Sequence, residues 1–123
     1  MKKIMFFVSA LALVLLFNSC GSQSPKDVVN DYYSALKKGD FEKAMTHTTL
    51  KDTAEIHQTV KKMQDFKYQV SDYEILSEEI AEDNENATVE VKYTASSAFK
   101  ETPVEDTEKI KLVKEDGKWK INQ

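Results

Sequence analysis

The sequence predicts an α+β domain: three helices at the N-terminal side, packed on a curved antiparallel sheet of about four strands. Two observations carry this. Apolar residues recur at helical spacing from Val28 to Met63, and from Phe66 onward the period changes to two. The longest alternation, Ala87, Val89, Val91, Tyr93 and Ala95 against Thr88, Glu90, Lys92 and Thr94, describes a strand with one dry and one wet face, which is the pattern of antiparallel sheets. Helices first and strands after give α+β order.

The first helix is predicted to start at Ser24-Pro25-Lys26-Asp27. Ser24 suits the N-cap, Pro25 the first helical position, and Asp27 the reciprocal capping bond. Val28, Val29, Tyr32, Ala35 and Leu36 form its apolar stripe, and Gly39 stops it after Lys37-Lys38. Asp40 caps a short second helix whose buried face is Phe41, Ala44, Met45 and Thr48. A third helix begins near Thr49 or Asp52 and ends near Asp65, with Ile56, Val60 and Met63 inward.

Phe66, Tyr68 and Val70 alternate, and then Tyr73, Ile75 and Ser77 do so on the opposite parity. A strand that changes face needs an extra residue, so a β-bulge is expected near Ser71-Asp72. Glu82–Asn86 reads as a solvated turn, and Pro103 interrupts the ladder before the strand holding Glu108, Ile110 and Leu112 on one face. Asp116-Gly117 signals a tight hairpin into Trp119 and Ile121. Phe41, Phe66, Tyr68, Tyr93 and Trp119 are expected in the core. Tyr32 and Tyr33, adjacent on a helix, diverge by about 100°, so only one is expected to face the core squarely.

Ahead of the domain, Lys2-Lys3 precede an apolar run, Ile4–Phe17, of 14 residues. A membrane-spanning helix needs about 20, so the run reads as a cleaved signal peptide over residues 1–19. Its end resembles the bacterial lipoprotein signal, in which a small residue precedes an invariant cysteine. Ser19-Cys20 fit, whereas Phe17 stands where leucine is usual and Asn18 where a small residue is usual. The resemblance implies cleavage before Cys20, with lipid on its sulfur and amine. Residues 20–24 then form a short tether and 25–123 a single domain. Cys20 is the only cysteine in the chain, so no internal disulfide is expected.

Of the 17 basic residues, Lys2 and Lys3 leave with the signal; the 15 that remain face 21 acidic residues, a net charge of −6. An acidic domain without a single arginine is poorly suited to nucleic acid or to bidentate phosphate capture. His47 and His57 are ten residues apart, not a same-face metal spacing, and the acidic stretches Glu78-Glu79 and Glu82–Glu85 lack the spaced ligands of a calcium loop. No metal and no cofactor are expected.

The proline-started first helix, GDFEKAM (Gly39–Met45) and the terminal KEDGKWKI (Lys114–Ile121) together resemble small bacterial lipoproteins carrying a nuclear-transport-factor-2-like (NTF2-like), or cystatin-like, cone domain of unknown function. The resemblance implies the cone fold and the cell envelope, with the domain anchored to the outer membrane and facing the periplasm. It implies no activity. The expected function is a non-catalytic, membrane-anchored domain presenting a pocket or sheet face to a small apolar ligand or an envelope protein, with Tyr32, Tyr33, His47, Tyr68 and Tyr93 as pocket-lining candidates. Two alternatives stand beside it. One is a small isomerase- or dehydratase-like enzyme for an apolar carbonyl or hydroxy compound, whose available parts include Asp31, Asp40 and Tyr73 besides those five. The other is a structural protein forming a homodimer through the sheet. His47, at the margin of its helix face, is expected to titrate near the free value of about 6.5.

Overall fold

The computed structural model of the protein describes residues 23–100 and 102–123; the signal peptide and Cys20 read from the sequence lie outside the described residues. Helix α1 (Pro25–Lys38) carries the expected capping box: the Asp27 N–H donates to Ser24 Oγ and the Ser24 N–H to Asp27 Oδ2. Its last turn closes on Gly39, whose φ of +80° lies in the left-handed region open to glycine. The Gly39 N–H donates to the Leu36 carbonyl, and the Asp40 N–H to that of Ala35. Asp40 then caps α2 (Phe41–Met45) by accepting from the Lys43 N–H at 3.2 Å. Helix α3 (Thr53–Asp65) is capped by Asp52 and buries fully only Val60, with Ile56 and Met63 half-buried.

Strands β1 (Gln69–Ile80), β2 (Asn86–Ser96), β3 (Val104–Glu115) and β4 (Lys118–Ile121) form one antiparallel sheet in sequential order. The β1–β2 register slips between Val70 and Asp72, where the bulge was expected, and again between Ile75 and Ser77. The second slip corrects the sequence reading. Tyr73 and Ile75 stand opposite Tyr93 and Val91 on the helix-facing side, but Ser77 pairs with Glu90 on the outer side, and Glu78 comes opposite Val89. The extra residue, Leu76, sits in a mixed polar stretch whose alternation hides the change of parity. Turned inward by it, the Glu78 carboxylate accepts from the Lys26 N–H at 3.0 Å. A negative charge is thereby held at the positive end of α1.

Phe66 is a second correction. It caps α3 rather than starting a strand, Lys67 follows at φ +54°, and the strand begins at Gln69. The Phe66 ring is half-exposed and meets the exposed Phe99 edge-on, centroids 5.4 Å apart.

The core lies between α1, α2 and the inner face of the sheet. Val29, Ala44, Val89 and Val91 are fully enclosed, joined by Met45, Val70 and Leu112. Where α2 ends, Thr48 pairs in parallel with Ile121. The Thr49 N–H donates to the Ile121 carbonyl and the Ile121 N–H to that of His47, so the last strand is tied to the helices. Both residues of the Asp116-Gly117 turn have positive φ, +53° and +77°, the geometry that favours this dipeptide in hairpins. The turn returns Trp119 opposite Lys114, whose Nζ sits 5.2 Å from the ring centroid.

Trp119 is 7% exposed. Trp119→Ala is expected to cost about 3–5 kcal/mol through lost burial and the cavity left behind, a large part of the roughly 5–15 kcal/mol holding a small domain folded. Urea unfolding of the variant, followed by far-ultraviolet circular dichroism, measures that loss.

Candidate functional site

The chain has five tyrosines, and the fold brings them together. Tyr32 and Tyr33 come from α1, Tyr68 from the position just ahead of β1, Tyr73 from β1, and Tyr93 from β2. The Tyr33 ring is the hub: Tyr32 meets it edge-on at 5.3 Å, Tyr73 stacks on it at 5.7 Å, and Tyr93 lies tilted at 5.7 Å. Such aromatic contacts add stabilisation beyond buried area. Both Tyr32 and Tyr33 are buried, contrary to the expectation that only one would be. Helix α1 packs against β1, β2, β4 and α2 at once, so the covered arc is wide enough to take two adjacent positions.

Glu108 of β3 faces the same space. It stands opposite Val91, on the parity of Ile110 and Leu112, and its Oε1 lies 3.5 Å from the Tyr33 hydroxyl, which donates to it. Tyr32, Tyr33, Tyr68 and Glu108 line an open cavity of about 380 Å³ between α1 and β3, together with Leu36, Ile121, Lys109 and Lys111. The Tyr73 hydroxyl turns away and donates to Asn30 Oδ1 at 2.8 Å.

Burial holds these phenols neutral. It pushes Tyr32 and Tyr68 up to about 12, with the Glu108 carboxylate adding to the rise in both. Tyr33, where burial and Glu108 again act in that order, is raised further, and Tyr93 moves the same way. At neutral pH the site therefore offers hydroxyl donors, aromatic rings and one carboxylate.

His47 is not part of this arrangement. It lines a separate cleft of about 410 Å³ with Asp31, Ser34, Lys38, Asp40 and Lys43, against another face of α1. Its Nε2 is buried without a hydrogen-bond partner among the described residues. Desolvation lowers its pKa from 6.5; Asp31 opposes that shift, while Lys120 and Lys43 reinforce it. The expectation of a free-value histidine is thus corrected. Asp40 is engaged as a helix cap. His57 is exposed, with Nε2 3.9 Å from Glu42. Among the described residues no three His, Cys, Asp or Glu side chains converge to hold a metal ion.

The residue that sequence reasoning missed is Glu108. Its signal was present: a carboxylate on the apolar parity of its strand, opposite a valine. Tyr73, counted among the available parts but not among the pocket candidates, belongs to the ring cluster through its stack on Tyr33.

Two pH effects follow. Unfolded tyrosines ionise near 10, whereas Tyr32 and Tyr68 hold their protons to about 12. Stability is therefore intact below pH 10 and is lost as pH rises from there towards 12, because the unfolded state gains by releasing protons first. Phenolate absorbance should appear together with unfolding in an alkaline titration. For His47 the sign is opposite. Its folded pKa is depressed, so its contribution is present above about 6.5 and is lost as the pH falls below that value. His47→Gln is expected to keep the fold and flatten the fall of the urea midpoint between about pH 7 and pH 5.

Among solved structures, the chain is similar to a SEC-C motif containing protein from Rhodopseudomonas palustris (17% identity, 81% of this chain and 76% of that one, TM-score 0.60). It is also similar to a putative NTF2-like transpeptidase from Campylobacter jejuni (19% identity, 82% and 99%, TM-score 0.51). A putative polyketide cyclase from Pseudomonas putida KT2440 resembles it as well (14% identity, 81% and 90%, TM-score 0.52). The likeness at these identities is one of fold, and the fold of the described residues is NTF2-like. No curated protein matches the sequence. Residues 18–122 match the model of a domain of unknown function, DUF4878, and the chain belongs to that family.

Proposed function

We propose that the protein is a lipid-anchored component of the cell envelope whose domain holds a small ligand in the tyrosine-lined cavity without turning it over. The observation that carries this is the convergence of Tyr32, Tyr33, Tyr68 and Glu108 on one cavity of about 380 Å³. That size falls within the range of small-molecule sites, and its wall mixes the tyrosine rings with polar groups, Glu108, Lys109, Lys111 and Asn122 among them. The same fold in proteins described as polyketide cyclases supports using this space for a small molecule. The anchor rests on the sequence: Lys2-Lys3, the run Ile4–Phe17 and Ser19-Cys20. Two acyl chains give stable attachment; the domain then stands at the outer membrane, facing the periplasm. The outer face of the sheet carries Glu90, Lys92, Lys109 and Lys111, so in this reading it is solvated rather than a dimer seam.

The enzyme reading has one observation in its favour, the Tyr33 hydroxyl beside the Glu108 carboxylate. Glu108 is exposed, and a base committed to acting on an apolar substrate is ordinarily held in a dry site. A turnover screen against small carbonyl and hydroxy compounds decides. No rate dependent on Glu108 is expected, and a wild-type rate lost by orders of magnitude in Glu108→Gln would install the isomerase-like reading instead.

The cavity is tested by following tyrosine ring resonances during a screen of small apolar and amphiphilic compounds. Saturable shifts at Tyr32, Tyr33 and Tyr68 are expected, and a screen that moves none of them overturns the binding role. For the anchor, Cys20→Ala should abolish incorporation of labelled palmitate and release the chain from membranes; unchanged labelling rejects it.

A further inference from the structure

We infer that the cavity takes an organic ammonium group, quaternary or primary, seated on the tyrosine rings with its charge towards Glu108; this rests on the cavity being the ligand site proposed above. Tyr32 and Tyr33, 9% and 3% exposed, back the cavity on the helix side, and the more open Tyr68 borders it just ahead of β1. The negative faces of such rings attract cations. Glu108 supplies the one acidic side chain among the residues lining the cavity. Its carboxylate has no ion-pair partner among the described residues, and its hydrogen-bond donor is the neutral Tyr33 hydroxyl at 3.5 Å.

The lysines near the rim do not neutralise it. Lys109 and Lys111 border the cavity, but they alternate with Glu108, Ile110 and Leu112 and belong to the outer parity of β3. The next residue on the inner parity towards the β2–β3 loop is another acid, Asp106, opposite Tyr93. The charges acting on the tyrosine hydroxyls are accordingly negative, from Glu108 throughout and from Asp106 as well at Tyr93. Around the tyrosine hydroxyls the field is therefore negative, which favours a cation over a carboxylate or phosphate there.

The chemistry also separates an organic from an inorganic cation. Calcium takes six or more oxygen ligands, and magnesium a near-ideal octahedron; this cavity presents one carboxylate. A substituted ammonium has a diffuse charge and an apolar surface, and it is satisfied by ring faces plus a single counter-ion. Inward acids on a strand edge also discourage edge-to-edge pairing, a role that requires no ligand and predicts no selectivity for cations.

The test uses the protein as cells make it, purified in detergent, with tyrosine ring resonances followed at constant ionic strength. Choline, ethanolamine and glycerophosphocholine are titrated beside 3,3-dimethylbutanol, a neutral carbon isostere of choline. At least one ammonium compound should give saturable shifts at Tyr32, Tyr33 and Tyr68, and the isostere should bind at least about tenfold more weakly. Glu108→Gln should weaken the ammonium compound by about tenfold, the scale of one charged contact. Glu55→Gln, an exposed acid in the first turn of α3, should change nothing. Tighter binding of choline or ethanolamine points to a free amine and of glycerophosphocholine to a lipid headgroup; either sustains the inference. Equal binding of the isostere, or indifference to Glu108→Gln, overturns the ammonium assignment and leaves the cavity as a ligand site. If none of the four compounds shifts the rings the ammonium assignment also falls, and the broader screen then decides the cavity itself.

Discussion

The seating of α1 across the inner face of the sheet is the contact on which the remainder depends. Val29 reaches zero exposure in the same core as Val89 and Val91, and such burial is worth about 1.5–3 kcal/mol per large apolar side chain. The helix is held at both ends as well. At its start Glu78 accepts from the Lys26 N–H; at its finish the left-handed turn at Gly39 redirects the chain into α2. With axis and ends fixed, rotation of the helix is fixed too, and Tyr32 and Tyr33 are placed together where a small rotation would expose one of them.

The cavity is a by-product of that seating made chemically particular by Tyr32, Tyr33, Tyr68 and Glu108. Tyr33 serves as core and wall at once. Its ring fills the space between Tyr32, Tyr73 and Tyr93, while its hydroxyl reaches the carboxylate of β3. Tyrosine suits this double use because its body is apolar and its tip is not. The His47 cleft, by contrast, mixes Asp31 and Asp40 with Lys38 and Lys43. Opposite charges there offset one another, and no single ligand charge is favoured.

The first two helices were readable because their ends are written in side chains, Ser24 and Asp40 as caps and Gly39 as a stop, whereas Thr49 and Asp52 competed for the start of α3, which Asp52 caps. The hairpin at Asp116-Gly117 was readable for the same reason, since its φ values restrict the residues it accepts. The first bulge showed as a flip of parity between Val70 and Tyr73. The second did not, because the residues around Leu76 and Ser77 carry too little hydrophobic contrast to show one. Site geometry was less legible than the fold. Tyr32, Tyr33, Tyr68 and Tyr93 could be named as candidates from their faces, but their meeting depends on how α1 crosses the sheet, which no local pattern encodes. His47 drew attention as a titratable group near an apolar stripe; its distance from the tyrosines is likewise a matter of tertiary placement. Glu108 was visible as a misfit on an apolar parity and gains significance only beside Tyr33.

Strand β3 is longer than the strand that borders it. Strand β4 covers Leu112 to Glu115 and the Asn122 N–H donates to the Lys111 carbonyl; ahead of that bond, from Val104 on, the backbone of β3 is bonded to β2 alone within the sheet. A bare run of this length would recruit any passing β-strand, including the same run in another molecule. Here the side chains along it are mostly charged, acids at Glu105, Asp106 and Glu108 and lysines at Lys109 and Lys111. Adding a strand in register would bury or juxtapose several of these charges at once. Self-association through this border is thereby opposed at neutral pH. That protection weakens in strong acid, where the carboxylates are neutralised, and the border of β3 becomes the place where aggregation of the folded protein would begin.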